Sequence, residues 1–336
     1  MSDQQKVPIE VKAEAVNEVL PTEEAESAPR RKLGKKAQDR LWFWLFLAPA
    51  LIPFLVMVIL PFFMGIYYSF TNWTGGLNET EWVGLANFRA LTTDFRFIYS
   101  FARTAIYAVG NVILINVVAF SLALLVTRKL KLQNIYRAGF FIPNLIGGLI
   151  IGYLWNFIYT LVLTQGLGLF QTSPLVNENA MFALLIAVTW QYAGYIMMIY
   201  IAALQNVPED LIEASQIDGA NALQRLRNIT FPLIAQAFTV SLFLTLVTAF
   251  KQFDTVFSLT GGGPSLSSPG WLETVAQMET SRTVEFTRLV TVNIYSWGFS
   301  RGNFAEAQAQ AVAFFFILAI FSIGQVYFNK KREVEL

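Results

Sequence analysis

Six long apolar runs constrain this chain more than any other feature of its sequence. Each run is long enough to cross a bilayer as a helix, which needs about 20 mainly apolar residues. Five runs contain no charged residue, and the remaining one contains only Lys251. The runs extend over residues 42–67, 104–126, 140–163, 181–204, 231–253 and 308–328. The pattern predicts an all-α membrane protein with six transmembrane helices, surrounded by membrane lipid.

Composition excludes several kinds of chemistry. Of the 336 residues, 55% are hydrophobic and 14% are charged, and there is no Cys or His. Thiol nucleophiles, disulfides, zinc sites and imidazole acid–base catalysis are therefore not expected, and we predict no catalytic and no metal-binding residue. The net charge of +1 gives no reason to expect a nucleic-acid partner.

The distribution of Lys and Arg predicts the orientation of the helices. Basic residues cluster at 30–40, at 128–137 and at 330–332, whereas the loop 164–180 has none. Because cytoplasmic loops carry an excess of Lys and Arg, we expect both termini to be cytoplasmic. Residues 1–40 read as a disordered cytoplasmic tail and residues 330–336 as a short C-terminal one.

A polar segment lies between the fourth and fifth apolar runs. It reads EASQIDGANALQRLRNITFP over residues 213–232. Pro208 suits a first helical position, and Gly219 suits a break between two short helices. Three apolar residues then recur at helical spacing, namely Leu223, Leu226 and Ile229. The segment is predicted to present a cytoplasmic surface to a partner protein.

Polar side chains within the apolar runs are candidate ligands for a transported solute. On the fifth run, four recur at offsets that place them on one helix face: Ser241, Thr245, Thr248 and Gln252. On the fourth run, a second set combines an amide with aromatic rings: Gln191, Tyr192 and Tyr195. Hydroxyls and amides suit sugar hydroxyls, and aromatic faces suit pyranose rings. Each residue alone is equally compatible with helix packing or interface anchoring.

Two glycines and a lysine have plainer interpretations. Gly148 and Gly152 form a Gly-x3-Gly pattern, which favours close helix packing. Lys251 lies near the outer end of the fifth run, where snorkelling towards the interface is expected.

The loop at 213–232 resembles the Glu-Ala-Ala loop of ABC importer permeases. The resemblance implies that this loop is the coupling helix that docks on a cytoplasmic ATPase. The residues that carry it are Glu213, Ala214, Ser215, Asp218, Gly219 and Ala220. PFFMGIYYSFTNW at 61–73, FIPNLIGGLIIGYLW at 141–155 and FDTVFSLTGGGP at 253–264 are similar to segments of the oligosaccharide and glycerol-phosphate branch.

This resemblance implies a type I ABC importer transmembrane domain over residues 41–329. The coupling loop would comprise residues 205–232, and an extended outer loop residues 254–304, with 265–292 as an insertion. The family's sugar-contacting positions correspond to Val188, Tyr192, Tyr195, Thr248, Ala249 and Gln252. Val188 and Ala249 are apolar here, which implies a different sugar or pose.

The resemblance also implies partners. They are a second permease subunit, two cytoplasmic ATPase subunits and an extracellular or periplasmic sugar-binding protein, in a bacterial cytoplasmic membrane. The chain has no Gly-x4-Gly-Lys-Ser/Thr motif, so we expect it to be no enzyme and to bind no cofactor, with ATP and Mg²⁺ held by the ATPase.

Alternatives remain open at this point. A permease for glycerol phosphate would want basic residues in its pathway, and only Lys251 qualifies. A secondary transporter is expected to place acidic groups inside its helices, and none of the six runs contains one. A non-transport assembly subunit could use a docking loop but would not need the polar stripe.

Overall fold

The computed structural model describes residues 35–76, 80–128, 131–267 and 283–330. Of the predicted tails, 1–40 and 330–336, residues 1–34 and 331–336 lie outside these residues, as does the middle of the insertion at 268–282. Residues 35–40, predicted as part of the disordered tail, are instead helical, and Lys330 ends a helix. Along the chain, two compact units meet at residue 58. The first unit contains α1, Lys35–Phe54, whose apolar side chains are mostly exposed, as expected for contact with lipid or another subunit.

The second unit is a helical bundle. Its helices before the polar loop are α2 Leu60–Ser69, α3 Ala86–Thr93, α4 Phe95–Val126, α5 Gln133–Leu145, α6 Gly148–Phe157 and α7 Ala180–Gln205. Those that follow are α8 Glu209–Ile217, α9 Ala222–Arg225, α10 Phe231–Leu233, α11 Ala235–Phe250, α12 Asp254–Thr260, α13 Val290–Tyr295 and α14 Phe304–Lys330. π-Helical segments occur at Leu55–Ile59, Ile158–Gly166, Leu226–Thr230 and Ser296–Ser300, and a 3₁₀ turn occurs at Pro174–Val176.

Among the described residues, two short strands are the exception to the helical fold. β1, Ser265–Ser267, pairs antiparallel with β2, Thr283–Glu285. Arg103 of α4 secures the chain after β2, because its Nε and Nη2 atoms donate to the carbonyl of Phe286 at 2.9 and 2.7 Å. The amide of Val290 donates to the hydroxyl of Thr104. The loop after β2 is thereby fixed to one end of α4.

Helix α4 is the centre of the bundle. It packs along α7 and α11, while α6 packs on α12 and α14 packs on α2 and α11. Within the part of the chain that the structure describes, five helical segments are long and apolar enough to cross a membrane, or six if one bent pair of helices counts as a single span. The prediction of an all-α membrane protein is confirmed, and the predicted number of six spans is met when the bent pair counts as one span.

The third apolar run is not one helix, contrary to the prediction. Helix α5 ends at Leu145 and α6 begins at Gly148, because Ile146 and Gly147 have extended backbone (ψ 131° and 144°). Pro143 lies one turn before the break and cannot donate a helical hydrogen bond. The break therefore frees carbonyl groups that need partners outside the helix.

The fifth run is bent, also contrary to the prediction. The segment Ala222–Leu233 meets α11 at 74°, so residues 231–233 belong to the arm of the polar loop. Helix α11 ends at Phe250, and Gln252 therefore lies beyond the helix. The prediction that Ser241 and Gln252 lie on one face of a single helix is therefore wrong.

The packing role predicted for the Gly-x3-Gly pattern is confirmed. A β-carbon at Gly152 would lie 1.9 Å from Oγ of Ser258 and 2.8 Å from the carbonyl of Thr255. Only glycine allows α6 to approach α12 so closely. The side chain of Asn156 adds a hydrogen bond of 2.8 Å to the carbonyl of Leu259, which holds α12 in place.

Candidate functional site

Gln191 supports the break in the third run. Its Nε2 donates to the freed carbonyl of Ile146 at 3.1 Å, and its Oε1 accepts from Thr255 at 3.4 Å. Because the side chain is 97% buried and bonded at both ends, it joins α7 to the break and to α12. The structure thus gives this predicted ligand a positioning role.

A cluster of hydrogen-bonded side chains lies deeper between α4, α7 and α11. We call it the buried cluster, and its members are Asn116, Tyr200, Ser241 and Thr245. The Tyr200 hydroxyl is 2.6 Å from both Asn116 Oδ1 and Ser241 Oγ. The Asn116 amide donates to Thr245 at 3.0 Å. Two predicted ligands, Ser241 and Thr245, are therefore bonded within the protein, and both are almost completely buried.

A pocket of about 300 Å³ lies where α7, α11 and α12 meet. We call it the polar pocket. Its polar lining comprises Tyr192, Thr248, Lys251, Gln252, Asp254 and Thr255, and Gly148 contributes backbone. This volume is at the lower end of the range of small-molecule sites, about 300–1,000 Å³.

The side chains of this pocket differ from the buried cluster in their hydrogen bonding. The Tyr192 hydroxyl, the Lys251 ammonium, the Gln252 amide and the Asp254 carboxylate make no hydrogen bond or ion pair with another described residue. Thr248 donates only to the carbonyl of Leu244 in its own helix. The pocket therefore offers donors and acceptors that are free to pair with a ligand.

A second cavity of about 240 Å³ adjoins the polar pocket and shares Tyr192 and Thr248 with it. It adds Tyr195 and Asn144, and one wall is formed by Thr245 of the buried cluster. Of the seven predicted ligands, four thus line these two cavities without a bond to a side chain of another helix: Tyr192, Tyr195, Thr248 and Gln252.

The backbone around Gln252 is connected to the loop after β2. The hydroxyl of Thr291 donates to the carbonyl of Gln252 at 2.5 Å. This bond fixes the short connection between α11 and α12, on which three residues of the pocket stand. The amide of Gln252 is thereby held beside the pocket although it lies beyond the helix.

Sequence reasoning missed Asn144 and Asp254 as pocket residues. Asp254 carried one local signal, because it is the single acidic residue between Asp218 and Glu273. Asn144 had no such signal, since its place beside the pocket depends on the break after Leu145. Lys251, expected to snorkel, lines the same pocket with an exposed side chain.

The polar loop forms two short helices, as predicted. Helix α8 begins after Pro208, one residue later than expected, and Gly219 has a φ of +80° that favours glycine. Asn221 caps α9 through a reciprocal pair of hydrogen bonds with Gln224.

The predicted coupling residues divide into an inner and an outer set. The Ser215 side chain is buried, and its carbonyl accepts from the amide of Ala220 at 2.9 Å. Four others are exposed: Glu213, Ala214, Asp218 and Gly219. Ile217 is 87% and Leu223 73% exposed, so the surface combines charge with uncovered apolar side chains. Such a combination is typical of a protein interface.

A bundle of lipid-compatible helices around a polar pocket defines an integral membrane protein of the transporter class. Residues 122–334 match the family of binding-protein-dependent transport system inner membrane components, and the chain belongs to that family. The family predicted from the loop motif is confirmed, as is the membrane location.

Similar proteins support the same assignment. The chain is 44% identical over 310 residues to the "Probable starch degradation products transport system permease protein AmyD" of Thermoanaerobacterium thermosulfurigenes, covering 91% of this chain and 99% of that one. It is 28% identical to the multiple sugar-binding transport system permease protein MsmF of Streptococcus mutans, covering 89% and 99%. A bacterial ABC transporter for the import of alginate shares the fold, with a TM-score of 0.71 at 18% identity over 88% of this chain and 98% of that one.

Proposed function

We propose that this chain is a permease subunit of an ATP-driven importer of neutral oligosaccharides, of the kind released from starch. The polar pocket carries the proposal, because the Tyr192 hydroxyl, the Gln252 amide and two charged side chains line it without a hydrogen bond or ion pair to another described residue. Donors and acceptors that converge on one pocket without partners in the protein favour a polar ligand. The similarity to a permease named for starch degradation products points to short glucose oligomers.

A phosphorylated solute fits the same pocket less well. Lys251 supplies one positive charge, but the Asp254 carboxylate lines the same space and opposes an anion. A phosphate site commonly combines several Arg, Lys or backbone donors. The mixed charge of the pocket therefore favours a neutral, hydroxyl-rich ligand over glycerol phosphate.

The coupling loop is proposed to dock on a cytoplasmic ATPase, and the chain to pair with a second permease that completes the pathway. Two ATPase subunits, which would hold ATP and Mg²⁺, and an external sugar-binding protein complete the assembly. The exposed Glu213 and Ile217 would face the ATPase, while buried Ser215 would keep the shape of the loop. Both termini and this loop are proposed to be cytoplasmic, as the distribution of basic residues indicates.

Exchange of the exposed glutamate tests this proposal. Glu213→Ala is expected to reduce maltotriose-stimulated ATP hydrolysis by about tenfold or more, because it removes a charged contact at the docking surface. The measurement uses the complex purified with its native partners through a tag on this chain and reconstituted with the binding protein. The bundle should assemble normally, since the side chain is exposed.

Glu178→Ala is the matched control. This residue is also an exposed glutamate, but it precedes the opposite end of α7. It should leave stimulation unchanged. Equal stimulation of wild type and Glu213→Ala would refute the docking role, and a wild-type complex that no neutral oligosaccharide stimulates would refute the substrate class.

A further inference from the structure

We infer that Asp254 is a specificity-determining residue of the polar pocket, which accepts hydrogen bonds from sugar hydroxyls and disfavours acidic sugars. The inference rests on the proposed function and adds a residue that the sequence pattern did not identify. The observation that carries it is a carboxylate without a hydrogen bond or ion pair in a pocket lined by Tyr192 and Gln252.

The backbone of Asp254 is held in position by contacts with α6. It is the first residue of α12, which Gly152 and Asn156 of α6 hold in close contact. A β-carbon at Gly148 would lie 2.9 Å from Cβ of Asp254, so the residue rests directly on the start of α6. Because its backbone is held on two sides, Asp254 keeps its place in the lining of the pocket.

A carboxylate suits this position chemically. It is an acceptor with two oxygens, and neighbouring hydroxyls of one sugar ring can donate to both of them. Hydrogen bonds to a charged acceptor are about twice as strong as neutral ones. The amide of Gln252 and the hydroxyl of Tyr192 complement it, because each of them can donate as well as accept.

Lys251 balances the charge without neutralising the acceptor. Both charged side chains line the pocket, yet the only ion pair of the described residues joins Arg288 to Glu285. The Lys251 ammonium is therefore free to donate hydrogen bonds to a ligand, and the Asp254 carboxylate is free to accept them. A uronic acid would bring its carboxylate close to that of Asp254, and the two negative charges would repel each other.

Replacement by the isosteric amide tests the inference. Asp254→Asn is expected to raise the Kd for maltotriose about tenfold, since a charged hydrogen bond becomes a neutral one. The same variant should bind trigalacturonate about threefold better, because the repulsion is removed. Equilibrium dialysis of radiolabelled maltotriose, with trigalacturonate as competitor, measures both values on the purified complex without binding protein.

Two further variants separate binding from folding. Asp254→Glu keeps the charged acceptor, so its Kd for maltotriose should stay within about threefold of wild type. If Asp254 had only a structural role, the longer glutamate side chain would not restore binding. Glu178→Gln removes a charge away from the pocket and should change neither Kd. Wild-type affinities in Asp254→Asn would overturn the inference alone, while a wild-type complex that neither binds maltotriose nor responds to it would overturn the proposed function too.

Discussion

The buried cluster and the polar pocket are built largely on the same two helices, yet they differ in what their polar groups contact. In the buried cluster, Tyr200 of α7 and Ser241 of α11 bond to each other at 2.6 Å. In the polar pocket, Tyr192 of α7 and Thr248 of α11 have no bond to each other. Residue type therefore does not separate the two regions, whereas hydrogen-bond satisfaction does.

The difference has a physical origin in the positions of the neighbouring helices. Along the buried cluster, α4 lies against both α7 and α11 and supplies Asn116 as a central donor and acceptor. At the polar pocket, α11 has ended, and the chain turns through Lys251 and Gln252 into α12. The turn opens space between the helices, and the side chains around it face that space.

The largest effect is expected from Asn116→Leu, which breaks the buried cluster at its centre. The change removes the acceptor of Tyr200 and a donor to Thr245, both in buried surroundings. It should lower the free energy of unfolding by roughly 1–3 kcal/mol. Denaturant titration of the purified protein in mixed micelles measures the change.

Ser121→Ala on the same helix is the control. Its hydroxyl is exposed and bonds only to the carbonyl of Val117, so its loss should be nearly neutral. If Asn116→Leu leaves stability unchanged but abolishes transport, the cluster belongs to the pathway and the contrast between the two regions fails.

A smaller effect, on transport and not on stability, is expected from Gln252→Leu in the polar pocket. Transport of maltotriose should fall about tenfold, since about 1.4 kcal/mol of ligand hydrogen bonding is lost. Stability should be unchanged or higher, because the amide has no partner in the protein and the bond from Thr291 reaches the backbone carbonyl. Uptake normalised to assembled complex, together with the same titration, measures both.

Gln236→Leu provides the comparison for this variant. Gln236 is an exposed glutamine at the other end of α11 and lines neither cavity. It should transport like wild type. Destabilisation of Gln252→Leu without loss of transport would show that the polar pocket is a packing site.

The smallest effect is expected for Thr248, which is compared with Thr239, a second threonine of α11 with the same type of hydrogen bond to its own helix. Thr248 and Thr239 each donate to the carbonyl four residues earlier, at 2.7 and 3.3 Å. Only Thr248 lines the pocket. Thr248→Val is therefore expected to slow uptake about threefold, and Thr239→Val to change it by less than twofold. Equal effects of both changes would mean that the helix bond, and not the pocket, controls the rate.

Much of this architecture was predictable because its signals are local. Apolar runs without charge predict membrane helices regardless of their neighbours in space. In the polar loop, Gly219 allows the break between the two short helices and Asn221 caps the second, and both signals lie within a few residues. The loop motif also predicted the family correctly. For the site, the aromatic residues of the fourth run and the polar stripe of the fifth predicted Tyr192, Tyr195, Thr248 and Gln252, which do line the two cavities.

The periodicity of the fifth run was misleading for a definite reason. An offset of eleven residues keeps Ser241 and Gln252 on one face only if the helix continues, and α11 ends at Phe250. Periodicity also treats every polar residue on a face alike. It could not distinguish Thr245, which accepts a bond from Asn116, from Thr248, which has no partner on another helix.

The sequence by itself determined the apolar membrane segments, the two-helix loop and the family, because each depends on residues close together in the chain. Only the tertiary structure decided which polar side chains are free. Asn116 and Thr245 are 129 positions apart, and Gln191 reaches a carbonyl 45 positions away. Whether a hydroxyl or amide is satisfied depends on such distant partners, and the unsatisfied groups around Asp254 are those left available to a ligand.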